Sequence, residues 1–272
     1  ILIFRRMRSE LVTPSRSCSI LYRKRKMPDF SLAGKYILIT GASSGIGRAA
    51  AVACSRMGAK IIGTARDRGR LEETLSLLSG EGHAVHSADQ RNPAEIGALA
   101  EMLPKLDGIV HCAGTTDTIP CRHMAYERLL ALFETNFFGT VNLMTALMQG
   151  KKISKGASIV FISSFLADSV AETGSAAYAS AKAAMAAYAR VLAKEVAHRK
   201  IRVNTLMPGI VRTGLLQKMT FTEDEFNENE KLYPFGYGTP EDIADFIVFL
   251  LSPASRWMTG QRIVIDGGRT LN

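Results

Sequence analysis

The sequence predicts a single α/β domain built on a doubly wound parallel sheet. Short, continuously apolar runs recur along the chain, helix-length segments separate them, and a glycine-rich turn joins the first run to the first helix. Apolar runs alternating with helices of about ten or more residues make βαβ units. Runs that are apolar at every position suit strands covered by helices on both faces, as parallel sheets require.

The elements follow in order. Residues 36–40 form the first strand, and the turn after it leads into an Ala-rich helix over 48–57, closed by Gly58. Residues 60–64 are the second strand, 70–78 the second helix and 84–88 the third strand. A further helix starts at Pro93, before a fourth strand over 108–112. Residues 158–163, 202–206 and 262–265 complete the strands, with helical segments between most of them. No internal repeat or linker interrupts residues 29–272, which therefore read as one domain.

At 272 residues, with 47% hydrophobic and 22% charged residues, the chain can bury the core such a sheet needs. The best apolar stretch, residues 246–251, is far shorter than a bilayer requires, so no membrane span is expected. The formal net charge of +9 is unevenly placed. Residues 1–28 hold Arg5, Arg6, Arg8, Arg16, Arg23, Lys24, Arg25 and Lys26 against one acid, Glu10, for +7, and the remainder carries only +2. A nearly neutral body gives no broad polyanion-binding face, so no nucleic acid partner is expected.

The 1–28 segment lacks periodicity, is rich in Arg and Ser, and reads as a disordered basic tail with no function of its own. Its composition also fits a transit peptide, or translated sequence upstream of Met27, so organelle targeting stays open. Cys18, Cys54, Cys112 and Cys121 form no CxxC pair and have no histidine at metal-ligand spacing. Few, scattered cysteines in a chain of this size are expected to stay reduced, which favours a cytoplasmic protein without a metal.

Thr40-Gly41-Ala42-Ser43-Ser44-Gly45-Ile46-Gly47 fills the turn after the first strand. A phosphate-binding turn there must bend sharply, bring backbone against a pyrophosphate with no Cβ between, and aim a helix N-terminus at it. Gly41, Gly45 and Gly47 supply those freedoms. Their spacing differs from both the G-x-G-x-x-G fingerprint and the P-loop. A purely structural tight turn is the alternative; the position after the first strand of a βαβ series favours phosphate.

Further along, Tyr178-Ala179-Ser180-Ala181-Lys182 places Tyr178 and Lys182 on one face of a helix. A phenol titrating near pH 10 is a poor neutral-pH acid or base, and a nearby ammonium would favour its phenolate. Together with the glycine turn, this pair resembles the short-chain dehydrogenase/reductase family, whose TGxxxGIG motif the turn matches. The resemblance runs from about residue 32 to 271 and is nearest to the 3-oxoacyl-(acyl-carrier-protein) reductase branch. It implies a single-domain Rossmann fold and a hydride transfer between nicotinamide and a carbonyl or secondary alcohol.

By that resemblance, Asn136, Ser164, Tyr178 and Lys182 are the catalytic set. Ser164 and Tyr178 hold the carbonyl, Tyr178 donates the proton, Lys182 grips the nicotinamide ribose, and Asn136 completes proton supply. The Ser164–Tyr178 spacing is one residue longer than the family's, and Ser163 is a second candidate. The cofactor residues implied are Gly41, Ser43, Ser44, Gly45, Ile46, Gly47, Arg66, Asp67, Asp89, Gln90, Ala113, Gly114, Tyr178, Lys182, Pro208, Gly209, Val211 and Thr213. Asp266-Gly267-Gly268 resembles a further strand-end motif of the family. His111-Cys112 stands where the family carries Asn-Asn, and both are expected to pack rather than react.

Ala65 occupies the position of the family's NAD-selecting Asp, and Arg66 follows it. A guanidinium forks onto phosphate oxygens, so NADP (as NADPH) is expected over NAD. The alternative leaves Arg66 solvated and Asp67 on the ribose. Ser44 stands where many NADP-preferring relatives have a second basic residue.

The substrate loop is expected over about 213–237. It mixes Leu215, Leu216, Met219, Phe221, Phe226 and Tyr233 with acids from Glu223 to Glu230. These apolar residues suit a greasy carbonyl substrate or simply pack the lid down. Lys151, Lys152, Lys155, Arg199, Lys200 and Arg202 would dock an acidic carrier protein or, alternatively, favour helix C-termini with no partner. The Ala-rich stretch 176–197 permits close helix approach, and the resemblance implies a homotetramer or homodimer. A non-catalytic NADP(H) sensor of the same fold is the competing reading.

Overall fold

The computed structural model describes residues 29–216 and 222–271. Tyr36–Thr40 (β1), Lys60–Ala65 (β2), Ala84–Ser87 (β3), Leu106–His111 (β4), Ile153–Ile162 (β5), Arg202–Pro208 (β6) and Arg262–Ile265 (β7) form one sheet in the order β3-β2-β1-β4-β5-β6-β7. All pairings are parallel. The helices between them are Gly45–Arg56 (α1), Arg68–Ser76 (α2), Pro93–Met102 (α3), Tyr126–Phe133 (α4), Gly139–Gln149 (α5), Ala176–Val196 (α6), Glu223–Glu230 (α7) and Pro240–Leu251 (α8). The doubly wound Rossmann sheet expected from the sequence is therefore present.

Strand alternation divides the core. Leu38 of β1 joins Ile109, Ile159, Phe161 and Val203 beneath α3, α5 and α6. Its neighbours Ile37 and Ile39 face the opposite side with Val110, Val160 and Leu206, beneath α1 and α8. Burying such a side chain contributes roughly 1.5–3 kcal/mol. Because both faces are covered this way, the strands read as unbroken apolar runs in the sequence.

The strand order reverses between β1 and β4, which leaves a crevice beyond their C-terminal ends. The turn after β1 and the segment after β4 lie side by side along it. Tyr178 and Lys182 ride on α6, and Asn136 lies in a π-helical turn, Glu134–Phe138, inserted between α4 and α5.

Some boundaries differ from the sequence reading. α1 begins at Gly45 rather than at residue 48, because its first turn is built from the glycines of the turn itself. β5 starts at Ile153 rather than at residue 158; its exposed Lys155 and Gly156 break the apolar pattern without ending the strand.

Candidate active site

The crevice is a cleft of about 1060 Å³. Gly41, Ser43, Ser44, Gly45, Ile46, Gly47, Arg66, Asp67, Asp89, Gln90, Ala113, Gly114 and Thr213 all line it, so most of the cofactor residues expected from the sequence share one cleft. The glycine turn is packed backbone to backbone. A Cβ on Gly41 would lie 2.8 Å from the Ala113 nitrogen, and Gly41 holds φ at +67°. A Cβ on Gly45 would meet the Thr213 methyl at 3.1 Å. No acid occupies the first turn of α1, and the Ser44 side chain does not cap it. The helix N-terminus is thus open to an anion.

Sequence reasoning missed the brace behind this turn. The Arg48 guanidinium donates to the Ser43 carbonyl at 2.8 Å, to Glu73 at 2.8 Å and to the Thr74 hydroxyl at 3.0 Å. Thr74 in turn donates to the Ala42 carbonyl at 2.9 Å. The turn is therefore clamped to α2 from both sides. Arg48 gives no sequence signal beyond following the turn.

At the other end of the cleft, Arg66, Arg70 and Arg91 line the wall. Asp67 caps α2, accepting from the Arg70 amide at 3.0 Å, a local structural role for its carboxylate. Asp89 is gripped by Arg91 through the backbone amide and the guanidinium, which holds its carboxyl below the usual range. Arg70 is a further cation that the sequence reading did not single out.

The catalytic candidates gather behind Gly114, which lines the cleft; none of Asn136, Ser164, Tyr178 and Lys182 is itself among the lining residues, Tyr178 and Lys182 included as expected cofactor contacts. Asn136 is fully buried; its amide donates to the Thr115 carbonyl at 2.9 Å and the Leu132 carbonyl at 3.1 Å, and its oxygen accepts from the Thr115 amide at 3.0 Å. A Cβ on Gly114 would fall 2.7 Å from the Asn136 oxygen and 3.2 Å from the Lys182 ammonium, which fixes how close these groups are. Lys182 donates to the Ile162 carbonyl at 2.9 Å, and its nitrogen lies 5.7 Å from the Tyr178 ring centroid. Ser164 shares a hydrogen bond with Tyr178. Ser163 points away and donates to the Lys182 carbonyl at 2.9 Å. Of the two serines, only Ser164 meets the phenol; the extra residue before Tyr178 is absorbed in the loop ahead of α6.

This geometry can be set against known proteins. The family model described as Enoyl-(Acyl carrier protein) reductase matches residues 41–270. The chain belongs to the short-chain dehydrogenase/reductase family. Its curated relatives include the Vibrio cholerae 3-oxoacyl-(acyl-carrier-protein) reductase FabG, 30% identical over 88% of this chain and 98% of that protein. The human (3R)-3-hydroxyacyl-CoA dehydrogenase is 32% identical over 85% of this chain and 94% of its own length. Among solved structures, a short-chain type dehydrogenase/reductase from Mycobacterium marinum is 30% identical, with a TM-score of 0.81 over 89% of this chain and 98% of that one. The actinorhodin polyketide ketoreductase, solved with NADPH, is 25% identical, with a TM-score of 0.81 over 88% of this chain and 98% of its own.

Within this dehydrogenase/reductase frame, burial dominates the site's electrostatics. It pushes the Tyr178 phenol up to about 12, with the Ser164 hydrogen bond opposing. The lowering expected from Lys182 is not among the effects on this phenol; the Ser164 hydrogen bond is what opposes burial. Burial likewise pushes the Lys182 ammonium down to about 8, with Cys112 opposing. The unfolded chain therefore binds more protons than the folded one between about 8 and 10.5, and stability rises with pH across that window. Lys182→Met is expected to raise the melting temperature near neutral pH, and the gain should shrink as pH climbs through that window. A gain that stays constant with pH would mean that desolvation of the ammonium is not its source.

His111 packs as expected: it stacks on Phe161 at 4.7 Å, and burial pushes it down to about 3. Cys112 departs from the expected packing role in part. It packs against the core and also lines the cleft, with burial pushing its thiol up to about 12. Pro208, Gly209 and Val211, also expected to contact the cofactor, are not among the residues lining the cleft. Pro208 ends β6, Gly209 packs against Asp266 and Tyr233, and Val211 pairs with Gly238.

The expected substrate loop contains α7 and is held down by its own side chains. Arg212 forks onto Glu230 at 2.6 and 2.7 Å, and its guanidinium carbon lies 5.5 Å from the Tyr237 ring and 5.7 Å from that of Phe226. Phe226 and Tyr233 pack with Phe165 and Tyr237, which favours the packing role for these lid residues; Leu215 lines the cleft. Met219 and Phe221 lie outside the described residues. Three of the six expected docking cations are engaged by the chain itself. Lys152 donates to the Glu101 and Leu103 carbonyls at the end of α3, Arg199 to Ile153, and Arg202 to Ser252 at the end of α8. They cluster at the N-terminal ends of β5 and β6, at the opposite ends of the strands from the cleft, and serve carbonyls at the ends of α3 and α8 and the start of β5.

Proposed function

We propose that this family member is an NADP(H)-dependent oxidoreductase that interconverts a carbonyl and a secondary alcohol, with a 3-oxoacyl thioester as the substrate class. The gathering of Ser164, Tyr178, Lys182 and Asn136 behind Gly114, at the edge of the cleft, carries this reading. The cleft suits a dinucleotide: Gly41 leaves no room for a Cβ, and the N-terminus of α1 is open to a pyrophosphate. When bound, the nicotinamide supplies the hydride. Ser164 and Tyr178 hydrogen-bond the substrate oxygen, and Tyr178 donates its proton to the developing alkoxide. Lys182 holds the nicotinamide ribose, and Asn136 resupplies the proton. The relatives named for 3-oxoacyl carrier-protein and 3-hydroxyacyl-CoA substrates support the thioester.

NADP is favoured over NAD by Arg66 and Arg70 together, since Asp67 is engaged in capping α2. Arg66→Ser is expected to raise the KM for NADPH about 10- to 100-fold while leaving that for NADH nearly unchanged. Equal effects on both cofactors would remove Arg66 from the 2′-phosphate site. The free thiols Cys54, Cys112 and Cys121 favour a cytoplasmic setting. A homotetramer, or a homodimer, is favoured by α6, where Ala183 and Ala187 line a shallow groove beside Val191, 59% exposed. Val191→Arg should reduce the mass found by light scattering.

The reading is tested by following NADPH oxidation with 3-oxoacyl-CoA, 3-oxoacyl carrier protein, simple ketones, quinones and steroid ketones, with NADH as control. Turnover of the thioesters with NADPH supports it. Tight NADPH binding with no turnover on any of them would favour a non-catalytic sensor.

A further inference from the structure

The π-helical turn that carries Asn136 packs against Gln90, which lines the same cleft as Thr135 of that turn. In this turn the Gly139 amide bonds to the Glu134 carbonyl, five residues back, instead of the four of an α-helix. Such a widening is unfavourable in isolation and persists where neighbours hold it. Here the neighbour is Gln90, in the segment after β3. Its side-chain amide donates to the Thr135 carbonyl, immediately before Asn136. The approach is tight by construction: a Cβ on Gly139 would lie 2.5 Å from the Gln90 carbonyl oxygen and 2.8 Å from its Cγ. Gln90 is 9% exposed, and its side-chain oxygen has no hydrogen-bond partner among the described residues. An amide buried with half of its hydrogen-bonding capacity unmet is a costly choice over an apolar side chain of similar shape. The bond to Thr135 is what it obtains in return.

We infer that Gln90 is a positioning residue for the proton relay, acting through Thr135 to keep Asn136 turned toward Thr115 and Lys182. Relaxation of the turn to α-helical geometry would change the register of residues 134–138 and rotate Asn136 off Thr115. Because Gln90 follows Asp89 on the cleft wall, it links the arginine-lined end of the cleft to the relay behind Gly114. The inference rests on the oxidoreductase reading above, and the experiment separates the two.

Wild-type turnover with NADPH, and its loss in Tyr178→Phe, establishes that reading first. Gln90→Met, similar in shape but with no donor, is then expected to lower kcat about 5- to 10-fold. Gln90 is among the expected cofactor residues, but its side-chain amide is buried against Thr135, so the Kd for NADPH, read by cofactor fluorescence, should change far less than kcat, and the solvent isotope effect on kcat should rise as proton resupply becomes limiting. Gln90→Glu loses the donor when ionised and regains it when protonated. Its kcat should therefore recover toward wild type as pH falls, while that of Gln90→Met does not. The charged neighbours Asp89, Arg91, Glu95 and Glu134 are present in both variants, so a difference between their pH profiles belongs to residue 90. Wild-type kcat and isotope effect in Gln90→Met, or identical pH profiles for the two variants, would overturn the inference even in an active enzyme. Should Gln90→Met fail to fold, the profile of Gln90→Glu against wild type decides it.

Discussion

Tyr178→Phe is expected to lower kcat by about 10²- to 10⁴-fold, the range for loss of a positioned general acid. The affinity for NADPH should be nearly unchanged. The phenylalanine keeps the ring and its place on α6, four residues before Lys182, and loses only the hydroxyl that meets Ser164. Lys182 keeps its bond to the Ile162 carbonyl, so the group proposed to hold the nicotinamide ribose stays in place. Single-turnover kinetics with a 3-oxoacyl-CoA and equilibrium binding of NADPH measure the two quantities separately. If both fall together, Tyr178 acts in binding, and the proton must come from another group.

The pH behaviour carries a second consequence of the same geometry. With the Tyr178 phenol pushed up to about 12, the hydroxyl is protonated throughout the physiological range. That is the form needed for proton donation in the reductive direction. Oxidation of an alcohol needs the phenolate, and the burial that opposes it has to be offset by charge brought close. Lys182, one helical turn along α6 with its nitrogen 5.7 Å from the ring centroid and bonded to a backbone carbonyl, does not offset that burial in the resting chain.

Much of the architecture was legible in the sequence because both faces of the sheet are buried. β1 and β7 match the apolar runs residue for residue, and the order of strands and helices follows from the alternation. The start of α1 was not legible, because glycines carry no helical pattern. The choice between Ser163 and Ser164 was not legible either. Adjacent residues of an extended segment point to opposite sides, and only the packed strand shows that Ser163 turns toward the Lys182 carbonyl. The least legible features join segments distant in sequence: Arg48 to Glu73 and Thr74, Gln90 to Thr135, and Gly114 to Asn136. Periodicity reports which face of an element is buried, not which polar atoms meet across the core. The basic cluster of Lys152, Arg199 and Arg202 illustrates the same limit, since the carbonyls these side chains satisfy belong to other elements.

Gly47→Ala is expected to be the most damaging single methyl group in the chain. Its Cβ would lie 2.2 Å from the Gly41 carbonyl oxygen, 2.7 Å from the carbonyl carbon and 3.2 Å from the Ala42 nitrogen. All three are backbone atoms of the turn itself, and that turn is clamped by Arg48 and Thr74, so it has little freedom to retreat. Overpacking of this kind costs about 3 kcal/mol, and relief requires the glycine turn to shift. For a chain of this size that loss lowers the melting temperature by about 6–12 °C. Displacing the turn by about 1 Å would further lower kcat/KM by about 10²-fold. Gly97→Ala is the matched control. Gly97 lies within α3 with nothing within 4 Å of the added methyl, so alanine there should be neutral or stabilising by up to about 1 kcal/mol. Calorimetric melting of both variants, with NADPH binding measured alongside, gives a direct comparison. A Gly47→Ala protein that melts and binds like Gly97→Ala would mean that the turn is not braced in the way Arg48 and Thr74 imply. A protein that folds at wild-type stability yet fails to bind would instead place the methyl against the cofactor and not against the chain.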